Sequence, residues 1–174
     1  MEQSSSKQGG RIYIVMGVSG CGKSTIAPML AEALALPFFD GDNFHPAANV
    51  AKMSARIPLT DEDRHGWLLA LNNLAKEHQE KGAVIVCSAL KRSHRQKLSE
   101  GLEDKMVWVF LKGTYELILS RLKSRKDHFM PTSLLASQFQ TLEIPETAIT
   151  VSIEEEPHKI VDEILKQLGK NTAE

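Results

Sequence analysis

The apolar residues of the chain fall into two alternating patterns. Ile12, Tyr13, Ile14, Val15 and Met16 form a continuous apolar run, which predicts a strand buried on both faces. Residues 25–34 then space their apolar positions as a helix does. A short apolar run over 36–42 predicts a second strand ending in Asp40 and Asp42, and a short helix is expected over 47–53, broken by Ser54 and Pro58. The long helix that opens after Pro58 has Thr60 as its cap, Asp63 at capping-box spacing and an acidic first turn suited to the helix dipole. Its buried stripe is Trp67, Leu68, Leu71, Leu74 and Ala75, and Lys81-Gly82 marks its end. Residues 83–88 and 106–111 are again continuous apolar runs, the first expected beside the opening strand. The helices after them are expected to be capped by Ser93 and to cover 115–123, respectively. Thr132 is expected to cap a helix over 133–142 that Ile144-Pro145 ends, and 149–153 alternates as an edge strand does. From Pro157 a last helix buries Ile160, Val161, Ile164, Leu165 and Leu168 and stops at Gly169. Strands alternating with helices, with no repeat or linker, predict one α/β domain in three layers: a five-stranded parallel sheet with helices on both faces.

Composition narrows the partners. A chain of 174 residues fits one domain with a real core. Its 21 lysines and arginines against 22 acidic residues give a net charge of −1, so nothing draws it generally to nucleic acid or an anionic membrane. Anion binding must come from local clusters, 91–97 and 121–126 being the basic ones. Two cysteines, Cys21 and Cys87, do not make a disulfide framework, which points to a reducing intracellular compartment. Residues 1–10 are polar and lack the apolar core of a secretory signal, so a loose tail is expected before a domain over 11–170. No apolar stretch approaches the length that crosses a bilayer.

The chemistry is concentrated in a few short motifs. Gly17, Val18, Ser19, Gly20, Cys21, Gly22, Lys23 and Ser24, followed by Thr25, sit between a strand and a helix and match a Walker A phosphate loop. Glycines let the backbone close around a polyphosphate, the loop N–H groups and helix dipole favour the anion, Lys23 reaches the terminal phosphates, and Ser24 offers a hydroxyl to Mg²⁺. Asp40-Gly41-Asp42 is either an acidic turn or a functional pair, one carboxylate on the magnesium side and the other accepting the proton of an attacking hydroxyl. The 83–88 run has no acidic end, so a Walker B aspartate is missing there and the pair is the better metal-side candidate. His45 and Arg64 lie close to it in sequence, and Lys91 and Arg95 follow the 83–88 run. These four are the candidates to bind a substrate. The basic stretch holding Arg121 and Arg125 reads either as a solvated helix end or as a lid, over about 122–135, that lowers arginines onto phosphates.

Taken together, MGVSGCGKS (16–24), FDGDNFHPAANVAKM (39–53), PLTDEDRHGWLLALN (58–72), VIVCSALKRSHR (84–95) and RLKSRKDHFMP with LLASQFQTLE (121–143) resemble the bacterial-type gluconokinases. These belong to the P-loop kinase group that includes shikimate and adenylate kinases. The resemblance spans roughly residues 13–168. It implies transfer of the ATP γ-phosphoryl group to the 6-hydroxyl of D-gluconate by a cytoplasmic, Mg²⁺-dependent homodimer with strand order 2-3-1-4-5. It also implies Asp40 on the metal side, Asp42 accepting from the acceptor hydroxyl, Arg121 stacked on adenine and Arg125 on the phosphates. Cys21 stands where serine is usual in such loops. The rival readings are a kinase for shikimate or a nucleoside monophosphate, and a nucleotide switch. Asp63-Arg64-His65-Gly66 fits the D-x-x-G of a switch but falls in a predicted helix, and no Asn-Lys-x-Asp element accompanies it.

Overall fold

The computed structural model describes residues 10–124 and 132–172. In chain order these form β1 (Ile12–Met16), α1 (Lys23–Leu34), β2 (Phe38–Asp40), a 3₁₀ turn (Gly41–Phe44), α2 (Ala47–Ser54), α3 (Asp61–Glu77), β3 (Ala83–Val86), α4 (Arg92–Ser99), β4 (Met106–Lys112), α5 (Tyr115–Ser124), α6 (Thr132–Thr141), β5 (Ile149–Ser152) and α7 (Pro157–Thr172). The sheet runs β2-β3-β1-β4-β5 with every neighbouring pair parallel, as expected. Starting in the middle, the chain builds one edge through β2 and β3 and then crosses to build the other. The order therefore reverses at β1, and the loop leaving its carboxyl end opens at the switch point where α/β sheets bind ligands.

The period of two along each strand divides the core. Ile12, Ile14 and Met16 of β1, with Ala83 and Ile85 of β3, pack against Trp67, Leu68 and Leu71 of α3 and Leu98 of α4. The intervening positions, Val15, Val84, Val86, Val109 and Leu111, face Ile26 and Leu30 of α1, Ile118 of α5, Leu135 of α6 and Ile160 and Ile164 of α7. Each large aliphatic side chain so buried contributes roughly 1.5–3 kcal/mol, so both layers hold the sheet that carries the site. On the edge strand β5, Ile149 and Val151 are buried while Thr150 and Ser152 face out, the expected alternation.

Several boundaries differ from the sequence expectation, each for a local reason. The second strand ends at Asp40, because the Asp40 carboxylate caps the chain there: Asp42 N–H donates to Asp40 Oδ1 at 3.0 Å and starts the 3₁₀ turn. Helix α3 ends at Glu77, and Gly82 N–H closes the following turn onto His78 O at 2.7 Å. Lys91 precedes α4, so Ser93 is inside the helix and His94 Nδ1 takes the Lys91 N–H. Helix α6 begins at Thr132 itself, and α7 carries Gly169 in its interior and runs on to Thr172. Half of the expected lid, residues 125–131 with Arg125 among them, and most of the expected tail lie outside the described residues.

Candidate active site

A phosphate loop needs its backbone to turn where side chains would obstruct, and it does so here. Gly20 and Gly22 have φ of 81° and 104°, left-handed values at which any side chain is strained. From Gly22 the chain passes directly into α1, with Ile26 N–H donating to Gly22 O at 2.9 Å. Ser24 and Thr25 are therefore on the first, exposed turn of α1, at the positive end of its dipole. The Lys23 ammonium folds back over the loop, donating to Gly17 O at 2.8 Å and Val18 O at 2.9 Å. Cys21 is buried, its sulfur 3.8 Å from Lys23 Nζ.

Gln138 of α6 also reaches the loop. Its Oε1 accepts from Ser19 N–H at 2.7 Å, and its Nε2 donates to Ser19 Oγ at 3.1 Å. Beside Gly20, a cavity of about 230 Å³ is lined by Thr25 and Ile26 of α1, Arg121 of α5, and Pro157 and Ile160 of α7. Arg121 is fixed at its rim by a bond from its guanidinium to Ile153 O. This room adjoins the loop directly, Gly20, Cys21 and Gly22 being part of its lining.

On the other side of the loop stand the two aspartates. Asp40 pairs in register with Val86 of β3, which neighbours β1, so the carboxyl ends of the three strands set both carboxylates near the loop. Only glycine fits between them, because a Cβ on Gly41 would lie 2.1 Å from the Val86 carbonyl oxygen. Asp42 reaches solvent, yet protein atoms crowd it. That desolvation, then the neighbouring Asp40 charge, raises its pKa above the ordinary carboxylate value, while Lys23 and His45 pull it back. Four side chains from two motifs thus share one electrostatic environment. The oxygen donors Ser24 and Asp40 suit a hard cation that keeps most of its waters and takes further oxygens from phosphate, so this donor set fits Mg²⁺.

His45 stacks on Trp67 of α3, ring centroids 4.1 Å apart and 15° from parallel. Trp67 Nε1–H meanwhile donates to Gly41 O at 2.8 Å, so one side chain locates both the histidine and the aspartate turn. Burial lowers the His45 pKa, with Asp42 opposing and Arg64 adding to the shift, and this favours the neutral ring.

Arg64 and Lys91 meet at a single carboxylate. Asp61, at the start of α3, lies 3.5 Å from Arg64 Nη1 and 3.2 Å from Lys91 Nζ. His94 Nε2 is 3.4 Å from the same carboxylate. Since Lys91 N–H occupies His94 Nδ1, the neutral His94 ring donates from Nε2 to Asp61. Arg64 and Lys91 remain partly exposed around this anchor, so their charges are held on one side of the cleft.

Arg95 is placed differently from the sequence expectation of a substrate contact. It is buried, and it donates to Ala89 O at 2.7 Å, Leu90 O at 3.3 Å and Glu143 O at 2.8 Å. Ala89 holds φ at 43°, a strained value for alanine, in the turn that delivers Lys91. Arg95 secures that turn from behind. Sequence reasoning missed Gln138, Asp61 and His94. Asp61 was visible only as part of the acidic first turn of α3 and His94 only as a residue near the start of α4, and the Gln138 amide carried no local signal.

Known proteins resemble this chain in sequence and in fold. The profile of the family described as Shikimate kinase matches residues 19–169. The thermoresistant gluconokinase of Escherichia coli (strain K12) is 47% identical over 136 residues, covering 77% of this chain and 77% of its own. The gluconokinase of Gluconobacter oxydans (strain 621H) is 44% identical over 161 residues, 90% of each chain. Among solved structures, a gluconokinase from Sinorhizobium meliloti 1021 superposes with a TM-score of 0.85 at 42% identity, covering 94% of this chain and 95% of that one.

Proposed function

Because the chain belongs to the gluconokinases, within the shikimate kinase family of ATP-dependent P-loop kinases, we propose that it transfers the γ-phosphoryl group of ATP to the 6-hydroxyl of D-gluconate, giving 6-phospho-D-gluconate and ADP. The observation that carries the assignment of roles is the shared environment of Lys23, Asp40, Asp42 and His45, which brings a phosphate-binding cation within reach of a carboxylate whose proton affinity is raised.

In this reading the loop amides of residues 17–25 hold the triphosphate, and Lys23 exchanges its two loop carbonyls for phosphate oxygens. Arg121 borders the base, and Arg125, outside the described residues, neutralises phosphate charge. Ser24 and Asp40 would hold Mg²⁺, which when bound offsets charge on the transferring group. Asp42 accepts the proton of the attacking hydroxyl, a role its raised pKa suits. Gluconate presents a carboxylate and a row of hydroxyls, so its binding needs a cation and several donors. Arg64 and Lys91, gathered at Asp61, supply the charge, His45 a donor, and Arg95 holds the turn that carries Lys91.

No helix among the described residues is long and apolar enough to cross a membrane. From the family likeness we read the protein as a cytoplasmic homodimer; light scattering at twice the chain mass would establish the dimer, and cell fractionation the location. The decisive assay couples ADP release to a panel of acceptors: D-gluconate, shikimate, nucleoside monophosphates and neutral polyols. Turnover concentrated on gluconate is the expected result. Equal or greater turnover on shikimate or a monophosphate would replace the assignment.

A further inference from the structure

The reading of His45 as a substrate contact leaves open which ring atom makes it, and Asn49 answers that question. The inference below rests on that reading. Asn49 is buried on α2, with 3% of its surface exposed. Its Nδ2 lies 2.8 Å from Asp63 O and 3.3 Å from His45 Nδ1. A main-chain carbonyl can only accept, so the side-chain atom facing Asp63 O must be the amide nitrogen, and the amide has one permitted orientation. That nitrogen carries two hydrogens. One serves Asp63 O, and the other points at His45 Nδ1, which must therefore hold the lone pair. The proton of the neutral ring is then on Nε2.

The acceptor end of this relay is itself fixed. Asp63 closes the capping box with Thr60, its carboxylate taking Thr60 N–H at 2.9 Å, and it pairs with Lys52 at 2.7 Å. Trp67 holds the ring plane by stacking. We propose that Asn49 is a positioning residue that fixes His45 as an Nε2–H donor, so that the ring gives a hydrogen bond to an oxygen of the polyhydroxy acid and does not serve as a base toward it. The division of labour at the site follows: the histidine orients, and proton acceptance stays with Asp42.

Heteronuclear NMR of nitrogen-labelled full-length protein tests this at alkaline pH, with the His45 signals assigned by their loss in His45→Gln. The wild-type ring is expected to show a protonated Nε2 and an unprotonated Nδ1. A protonated Nδ1 would overturn the proposal, whether or not any variant folds. In Asn49→Asp a carboxylate faces Nδ1 and must accept from it, so the proton is expected to move to Nδ1. The KM for gluconate should then rise about tenfold, the size of one lost hydrogen bond, while the KM for ATP holds. An Asn49→Asp ring that kept the wild-type tautomer would also overturn it. A ring that flipped with no change in the gluconate KM would leave Asn49 in control of the tautomer and remove His45 from the substrate site, a failure of the functional reading instead.

Discussion

In the proposed reaction Lys23 and Asp42 act on opposite ends of one transfer, and their substitutions should separate accordingly. The Lys23 ammonium would supply charge where negative charge accumulates, and its bonds to Gly17 O and Val18 O keep it over the loop until phosphate oxygens replace them. Lys23→Met should lower kcat by about a hundred- to a thousandfold, the usual loss on removing one preorganised electrostatic donor, with the circular dichroism spectrum unchanged. Near-normal turnover would end its assigned role. Asp42→Asn keeps the shape and removes the proton acceptor, so kcat should fall by about a hundredfold or more while the gluconate KM moves little. A loss confined to that KM would make Asp42 a binding residue. The loop and the aspartate pair were legible in the sequence because their chemistry depends on neighbours in the chain: glycines for the turn, a lysine and a serine at set offsets, and a glycine between two acids. Gln138 was not, because its partner Ser19 is 119 positions away, and nothing in a local pattern reports such a pairing. Arg95 misled for the complementary reason. A cation in a basic run looks available until the fold puts three carbonyls around it.

Helix α3 carries more of the proposed acceptor side than any other element, with Asp61, Arg64 and Trp67 all within its first two turns. Its start was readable because a capping box is a local code: Thr60 Oγ1 accepts the Asp63 N–H at 3.1 Å, and the Asp63 carboxylate returns the bond to Thr60 N–H. The turn that places Asp42 was not, since an apolar run followed by acids fits a longer strand equally well until the Asp40 carboxylate caps the chain. The capping box also has a pH signature. The Lys52 bond, reinforced by the Thr60 amide, lowers the Asp63 pKa from 3.8 to about 2. A carboxylate with a depressed folded-state pKa stabilises the fold above its unfolded value and loses that contribution as the pH falls through the folded one. The stability difference between wild type and Asp63→Asn should therefore be constant above pH 3.8 and shrink between there and about pH 2. Urea unfolding at a series of pH values measures it, and a difference that stayed flat across that window would show that the ion pair does not form in solution.

At the scale of the whole molecule, the sheet sets the phosphate loop and the aspartate turn at the carboxyl ends of β1, β2 and β3, which in the proposed function are a nucleotide half-site and an acid half-site. Periodicity alone established parallel strands between helices, whereas the strand order came with the family likeness, because alternating apolar runs do not say on which side of β1 each later strand is laid. The two-part site predicts how ligands stabilise the fold. A ligand that binds only the folded chain adds RT ln(1 + [L]/Kd), about 2.7 kcal/mol at a hundred times Kd. For a domain of this size each kcal/mol raises Tm by roughly 2–4 °C, so ATP with Mg²⁺, or gluconate, should each raise it by about 5–10 °C. The proposed function assigns Lys23 to the nucleotide half and Arg64 to the acid half. Lys23→Met should therefore diminish the ATP shift and keep the gluconate shift, and Arg64→Ala should do the reverse, both followed by differential scanning fluorimetry. If either substitution reduced both shifts equally, the division of the cleft between the phosphate loop and the start of α3 would be wrong, and Arg64 and Lys23 would have to be treated as parts of one binding unit.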